Sequence, residues 1–137
     1  MNTIRGLVIA SLVVSLAGLP GAAVRAADFT ECRQLGGASP ESLIAACTAA
    51  IASGTLGRQD LAAALVSRGA GLRSLHRDDD AFEDFDRAIL WDPLCSEAYH
   101  ERGLLHLYRG EIEWAHEDFG IAARIERSGE DSRVEEF

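Results

Sequence analysis

The sequence predicts an all-α fold: a solenoid of helix–turn–helix units with two clear repeats and an amino-terminal half-repeat or capping helix. Three observations predict it. Residues 62–95 and 96–129 agree at eight positions when shifted by 34, among them Ala64/Ala98, Arg68/Arg102, Glu83/Glu117 and Asp84/Asp118. Self-similarity at that period marks a unit of two antiparallel helices. Capped helix starts and glycine or proline stops recur along the chain, and nothing alternates with the period of two that a half-buried strand needs.

The first element, 1–26, reads as a secretory signal. Arg5 precedes the uncharged apolar run Gly6–Leu19, Pro20-Gly21 breaks it, and Val24-Arg25-Ala26 places small residues where a signal peptidase cuts. The run is shorter than the ~20 residues of a membrane span; an uncleaved anchor is the alternative. Cleavage takes Arg5 and Arg25 from the 13 basic residues and leaves 11 against 22 acidic ones, a formal charge of −11 with no lysine. That balance argues against nucleic acid, whose binding rests on neutralising phosphates, and against anionic membrane surfaces. The sequence thus predicts an exported protein, periplasmic or secreted, with no membrane insertion after cleavage.

Segment 27–61 carries Cys32 and Cys47, and the repeats carry Cys95. In an exported protein two of the three should pair. Cys32 and Cys47 are nearer in sequence and both precede the repeats, whereas a small thiol at 95 suits a tight junction. The pairing Cys32–Cys47 is favoured over any with Cys95. Closing that loop would contribute about 3 kcal/mol on the chain-entropy model. No close cysteine pair with matching histidines suggests zinc.

Ser39-Pro40-Glu41 opens a helix with a capping hydroxyl, a proline where the missing N–H costs nothing, and an acid at the positive dipole end. Leu43, Ile44, Cys47 and Ile51 follow at helical spacing, and Gly54 ends it. A second helix is predicted over about 60–76 with Leu61, Leu65, Leu72 and Leu75 buried. Asp78-Asp79-Asp80 opens a third, with Asp80 and Glu83 at capping-box spacing; Asp92-Pro93 stops it after Trp91. Ser96 caps a fourth that ends at Gly110, and a fifth runs from Glu111 to about Arg127. The acidic tail, 130–137, is predicted to be disordered.

These residues resemble the tetratricopeptide repeat family. Its pattern of bulky–Gly–bulky in the first helix, Ala–aromatic–Ala in the second and an exit proline is met by Leu65, Gly69, Leu72, Ala81, Phe85, Ala88 and Pro93. The second copy reads Tyr99, Gly103, His106, Ala115, Phe119 and Ala122, with Arg127 at the exit and His106 where a larger hydrophobe is usual. The family's leucine before the glycine is Arg68 and Arg102. The match covers 62–128 and extends weakly to Cys47 and Ile51, 34 before Ala81 and Phe85. Residues 39–54 therefore look like half of a decayed repeat, which would supply the neighbour that two repeats need to bury their faces. The chain also resembles small exported bacterial proteins with a cysteine-bearing leader and a pair of such repeats.

Gly69 and Gly103 read as close helix approach, with Ala81 and Ala115 opposite. Phe85 and Phe119 read as core. Arg68 and Arg102 recur with Asp84 and Asp118, which suggests a structural ion pair in each repeat rather than ligand contacts. Trp91 would close the repeat junction, and Trp114 would be half exposed. His76, His100, His106 and His116 lack metalloprotease spacing, Asp78–Asp80 lacks the rest of a calcium loop, and no nucleophile motif or phosphate loop is present. The sequence predicts no enzyme, no cofactor and no metal; a small hydrolase or metal-binding protein ranks last.

The resemblance implies a concave groove, lined by first helices, that holds a peptide or a partner's helix. Here that face would carry Ala63, Val66, Ala70 and Arg73, then Glu97, His100, Leu104 and Tyr108. Of these, Val66, Ala70, Arg73, His100, Leu104 and Tyr108 are the predicted partner-binding residues, with Arg73 an isolated cation. The family's version that grips a terminal carboxylate uses lysine and asparagine; Val66, Ala70, His100 and Leu104 stand in the matching places. The expected function is protein–protein interaction in the cell envelope. The alternative is self-assembly, with repeats stacking between chains.

Overall fold

The computed structural model describes residues 29–33 and 39–134. The predicted signal segment 1–26 lies outside them. A short helix α1 (29–33) is followed by α2 (Pro40–Ala52), α3 (Arg58–Ser74), α4 (Asp78–Trp91), α5 (Ser96–Tyr108) and α6 (Ile112–Val134). Successive helices pack in pairs, α2 on α3, α3 on α4, α4 on α5 and α5 on α6, with α3 also touching α5. No described residue lies in a strand, and no described helix is long and apolar enough to cross a membrane.

Helix starts follow local chemistry, with two corrections. Ser39 caps α2, its hydroxyl accepting from Ser42 N at 3.3 Å, with Pro40 as the first helical residue. At α4 the predicted capping box does not form. The helix begins at Asp78, three residues before the start that an Asp80 cap would give, because three acids in the first turn suit the dipole. Asp80 instead takes Arg77 as an ion-pair partner, at 2.7 Å. Ser96 is likewise the first residue of α5 rather than its cap, which is Cys95. The chain turns back after α3 and α5 through a left-handed residue, His76 (φ 58°) and Gly110 (φ 76°), positions 34 apart. In both turns the next amide reaches back five residues, Arg77 N to Leu72 O at 3.0 Å and Glu111 N to His106 O at 2.9 Å.

The core holds Ala62, Leu65, Val66, Leu72, Ala81, Phe85, Ala88, Ala98 and Leu105. At Gly69 an added Cβ would sit 2.5 Å from Cε1 of Phe85, and at Gly103 it would sit 2.8 Å from Cε1 of Phe119. The rings, not the predicted Ala81 and Ala115, are what press on the glycines, although both alanines are buried. Phe119 is only half-buried, because among the described helices only α5 packs on α6.

Cys32 and Cys47 form a disulfide with a Cα separation of 4.7 Å, and Cys95 is free. The bridge ties α1 to α2 and packs on Ala64 of α3, with Phe29, Leu43, Ile51 and Leu56 around it. Helix α6 continues past Arg127 to Val134, so the predicted disordered tail is helical at 130–134. No proline interrupts this stretch, and one glycine, Gly129, costs a helix only ~1 kcal/mol.

The recurring Arg–Asp pairs are present in both repeats. Asp84, 2% exposed, accepts from Arg68 Nε at 2.7 Å and Nη2 at 2.6 Å. Asp118 accepts from Arg102 Nε at 2.8 Å and Nη2 at 2.7 Å. Two parallel bonds of this kind are the strongest geometry open to arginine and a carboxylate. The hydrogen bond to its aspartate, against the opposing cost of burial, raises the pKa of each arginine. Arg102 Nη1 also donates to Asp86 at 2.6 Å, stitching α5 to the preceding repeat.

Candidate functional site

A cleft of about 370 Å³ opens between the carboxyl-terminal ends of α3 and α5. Leu104, Leu105, Leu107 and Tyr108 of α5 supply its apolar wall; Arg73, His76 and Asp78 supply the polar one. Its position follows from the repeat. Side chains three and four apart share a helix face, and Gly103, pressed against Phe119, fixes which face of α5 turns inward. Tyr108 is 77% exposed and Leu107 48%, so this wall offers apolar area to something outside the chain.

Three of the six predicted partner-binding residues meet here: Arg73, Leu104 and Tyr108. The other three do not. Val66 is 2% exposed and belongs to the core, because α3 is covered by α2, α4 and α5 and buries more of its circumference than a two-neighbour helix would. Ala70 is half-buried and outside the cleft. His100 lies with its ring 5.4 Å from Phe119 of α6, drawn to the half-covered aromatic rather than to the cleft. Arg73 is not isolated. Its Nη2 lies 2.9 Å from Glu101 Oε2, yet its buried Nε makes no hydrogen bond. The sequence reading missed His76, Asp78, Leu105 and Leu107. Leu107 was findable, since it stands 34 residues after Arg73 on the same stripe.

Beside the cleft, His106 is held by its neighbours. Its Nδ1 meets Glu111 Oε2 at 2.5 Å, Phe82 abuts its ring at 5.0 Å, and Trp114 stacks on it at 6.3 Å. This explains how a histidine occupies a position that a larger hydrophobe usually fills: aromatic neighbours complete its volume. Trp114 itself is 61% exposed, and with Ile112 it extends the apolar surface around the turn. Among the described residues no three His, Cys, Asp or Glu side chains converge as a metal site would require.

No protein-family model and no curated protein sequence matches the chain significantly. A solved structure, the second TPR of Spaghetti (RPAP3) bound to the HSP90 peptide SRMEEVD, superimposes with a TM-score of 0.60 at 20% identity. The match covers 77% of this chain and 91% of that one. The chain therefore has a tetratricopeptide-like all-α fold.

Proposed function

We propose that the chain is a non-catalytic protein-interaction module of the cell envelope. It takes an extended peptide or a partner's helix along the cleft between α3 and α5. The observation that carries this reading is the cleft itself: exposed Tyr108 and Leu107 over Leu104, facing Arg73, whose side chain is 39% exposed. An aromatic side chain and an arginine are the usual anchors of a small interface. The structurally similar domain holds a peptide, which supports a peptide ligand here. The family version that grips a terminal carboxylate uses lysine, and this chain has no lysine at all. The envelope setting rests on the leader-like 1–26 and on the disulfide.

The test is to capture the partner from the exported fraction, identify it by mass, and measure its affinity for three proteins. Tyr108→Ala should weaken it by ~2 kcal/mol, roughly 30-fold. Glu117→Ala, on the exposed convex face of α6, should bind as the wild type does. The reverse pattern would place the interface elsewhere. A second reading, assembly of copies through the corner formed by Ile112 and Trp114, is favoured by their exposure. It predicts a concentration-dependent dimer by light scattering that Trp114→Ser dissolves.

A further inference from the structure

The two repeats build an equivalent niche and fill it differently. In the second repeat, Phe82, His106, Glu111 and Trp114 close it with the aromatic stack described above. Stepping back 34 residues puts Thr48, Leu72, Arg77 and Asp80 in those places, and they line an open niche of about 300 Å³ between α2, α3 and α4. The shared walls are retained, since Arg68, Glu83 and Asp84 match Arg102, Glu117 and Asp118. This niche shares no residue with the cleft.

Two cations in it are under-used. Arg102 Nη1 donates to Asp86 at 2.6 Å, but the residue 34 before Asp86 is Ala52, so Arg68 Nη1 reaches only Thr48 Oγ1, at 3.4 Å. Arg87 comes no nearer to Asp84 than 3.8 Å, beyond hydrogen-bonding reach, and its side chain is 42% exposed. An arginine face stacks on an aromatic ring, as Arg109 does on Phe82 at 4.8 Å elsewhere in this chain.

We propose that the open niche of the first repeat receives a tyrosine side chain from a partner protein. The ring takes the space that the second repeat gives to its own aromatics, lying on Leu72 and the face of Arg87. The phenolic oxygen accepts from Arg68 Nη1. That acceptor distinguishes the occupant: phenylalanine has none, and the indole of tryptophan only donates.

N-acetyl-L-tyrosinamide titrated into the protein tests this, read on the Arg68 and Arg87 Nε–Hε signals and the Leu72 methyls by NMR. Saturable shifts are expected there, several-fold weaker for N-acetyl-L-phenylalaninamide and absent for N-acetyl-L-leucinamide. A variant carrying Thr48→Phe, Leu72→His, Arg77→Glu and Asp80→Trp imports the filling of the second repeat and should bind tyrosinamide at least tenfold more weakly. Should that variant not fold, Thr48→Phe alone, at an exposed position, is read the same way. Absence of saturable shifts in the wild type, shifts confined to the cleft around Tyr108, or undiminished binding by the filled niche would each overturn the proposal.

Discussion

Truncating one buried aspartate measures how the repeats are held together. Asp84→Ala removes the acceptor of two hydrogen bonds from Arg68, whose side chain is only 17% exposed. The guanidinium then keeps a single long contact, Thr48 Oγ1 at 3.4 Å. Removing one partner of a buried ion pair costs about 3–5 kcal/mol, because the survivor stays desolvated and unpaired. The partial exposure of Arg68 puts the expectation at the lower end, about 3 kcal/mol. With a urea slope of about 1.5 kcal/mol/M for so small a domain, the unfolding midpoint should fall by about 2 M. Asp118→Ala should cost less, because Arg102 retains Asp86 at 2.6 Å. Replacing both partners of the first pair, Arg68→Met with Asp84→Leu, should recover most of the loss, since a packed apolar pair substitutes for a buried ionic one at little cost. An Asp84→Ala midpoint close to the wild type, or a double variant no better than the single, would refute the account in which the stranded charge is the penalty.

Gly103→Leu must displace the Phe119 ring, which would lie 2.8 Å from the new Cβ; overpacking of this kind costs ~1–3 kcal/mol, and an unchanged thermal melt would mean the ring is free to move. His76→Gly should raise stability by up to ~1 kcal/mol, since a left-handed non-glycine residue costs more than glycine's added chain entropy; Gly110→Ala should lower it comparably, and denaturant midpoints compare the two. Native protein should show one alkylatable thiol by intact mass, Cys95. Burial pushes that thiol above its ordinary pKa, so its alkylation should be slow at neutral pH and quicken as the pH rises. Reducing Cys32–Cys47, 15 residues apart, should remove ~3 kcal/mol.

The features legible in the sequence are those that the repeat states twice. Arg68 with Asp84 and the close-approach glycine Gly69 each come with a copy 34 residues away, and a wrong register would have misplaced both. What stayed illegible depends on neighbours that a single helix does not reveal. Val66 lies on a face that would be open if α3 had two neighbours; it has three. His100 has the spacing of a groove residue, but its ring rests against an aromatic left half-bare by the end of the array. His76 adopts a conformation that its residue type disfavours, held by the turn that Gly110 makes without strain. The length of α6 was lost because an acidic segment reads as solvated, and a solvated helix has that composition too.

The two ends of the array are not alike, and this limits how the molecule could grow. Helix α4 receives α5 through Phe82, which meets His106 and Arg109, and through Asp86, which takes Arg102. On α6 the same two positions are His116 and Gly120, which offer neither the ring nor the carboxylate. A further copy of the second repeat set against α6 would find neither of these two contacts. An extra copy of 62–95 inserted between the existing repeats would present Phe82 and Asp86 to α5 as α4 does now. Internal duplication therefore keeps the contacts that α5 makes, whereas a unit set against α6 would have to supply different ones.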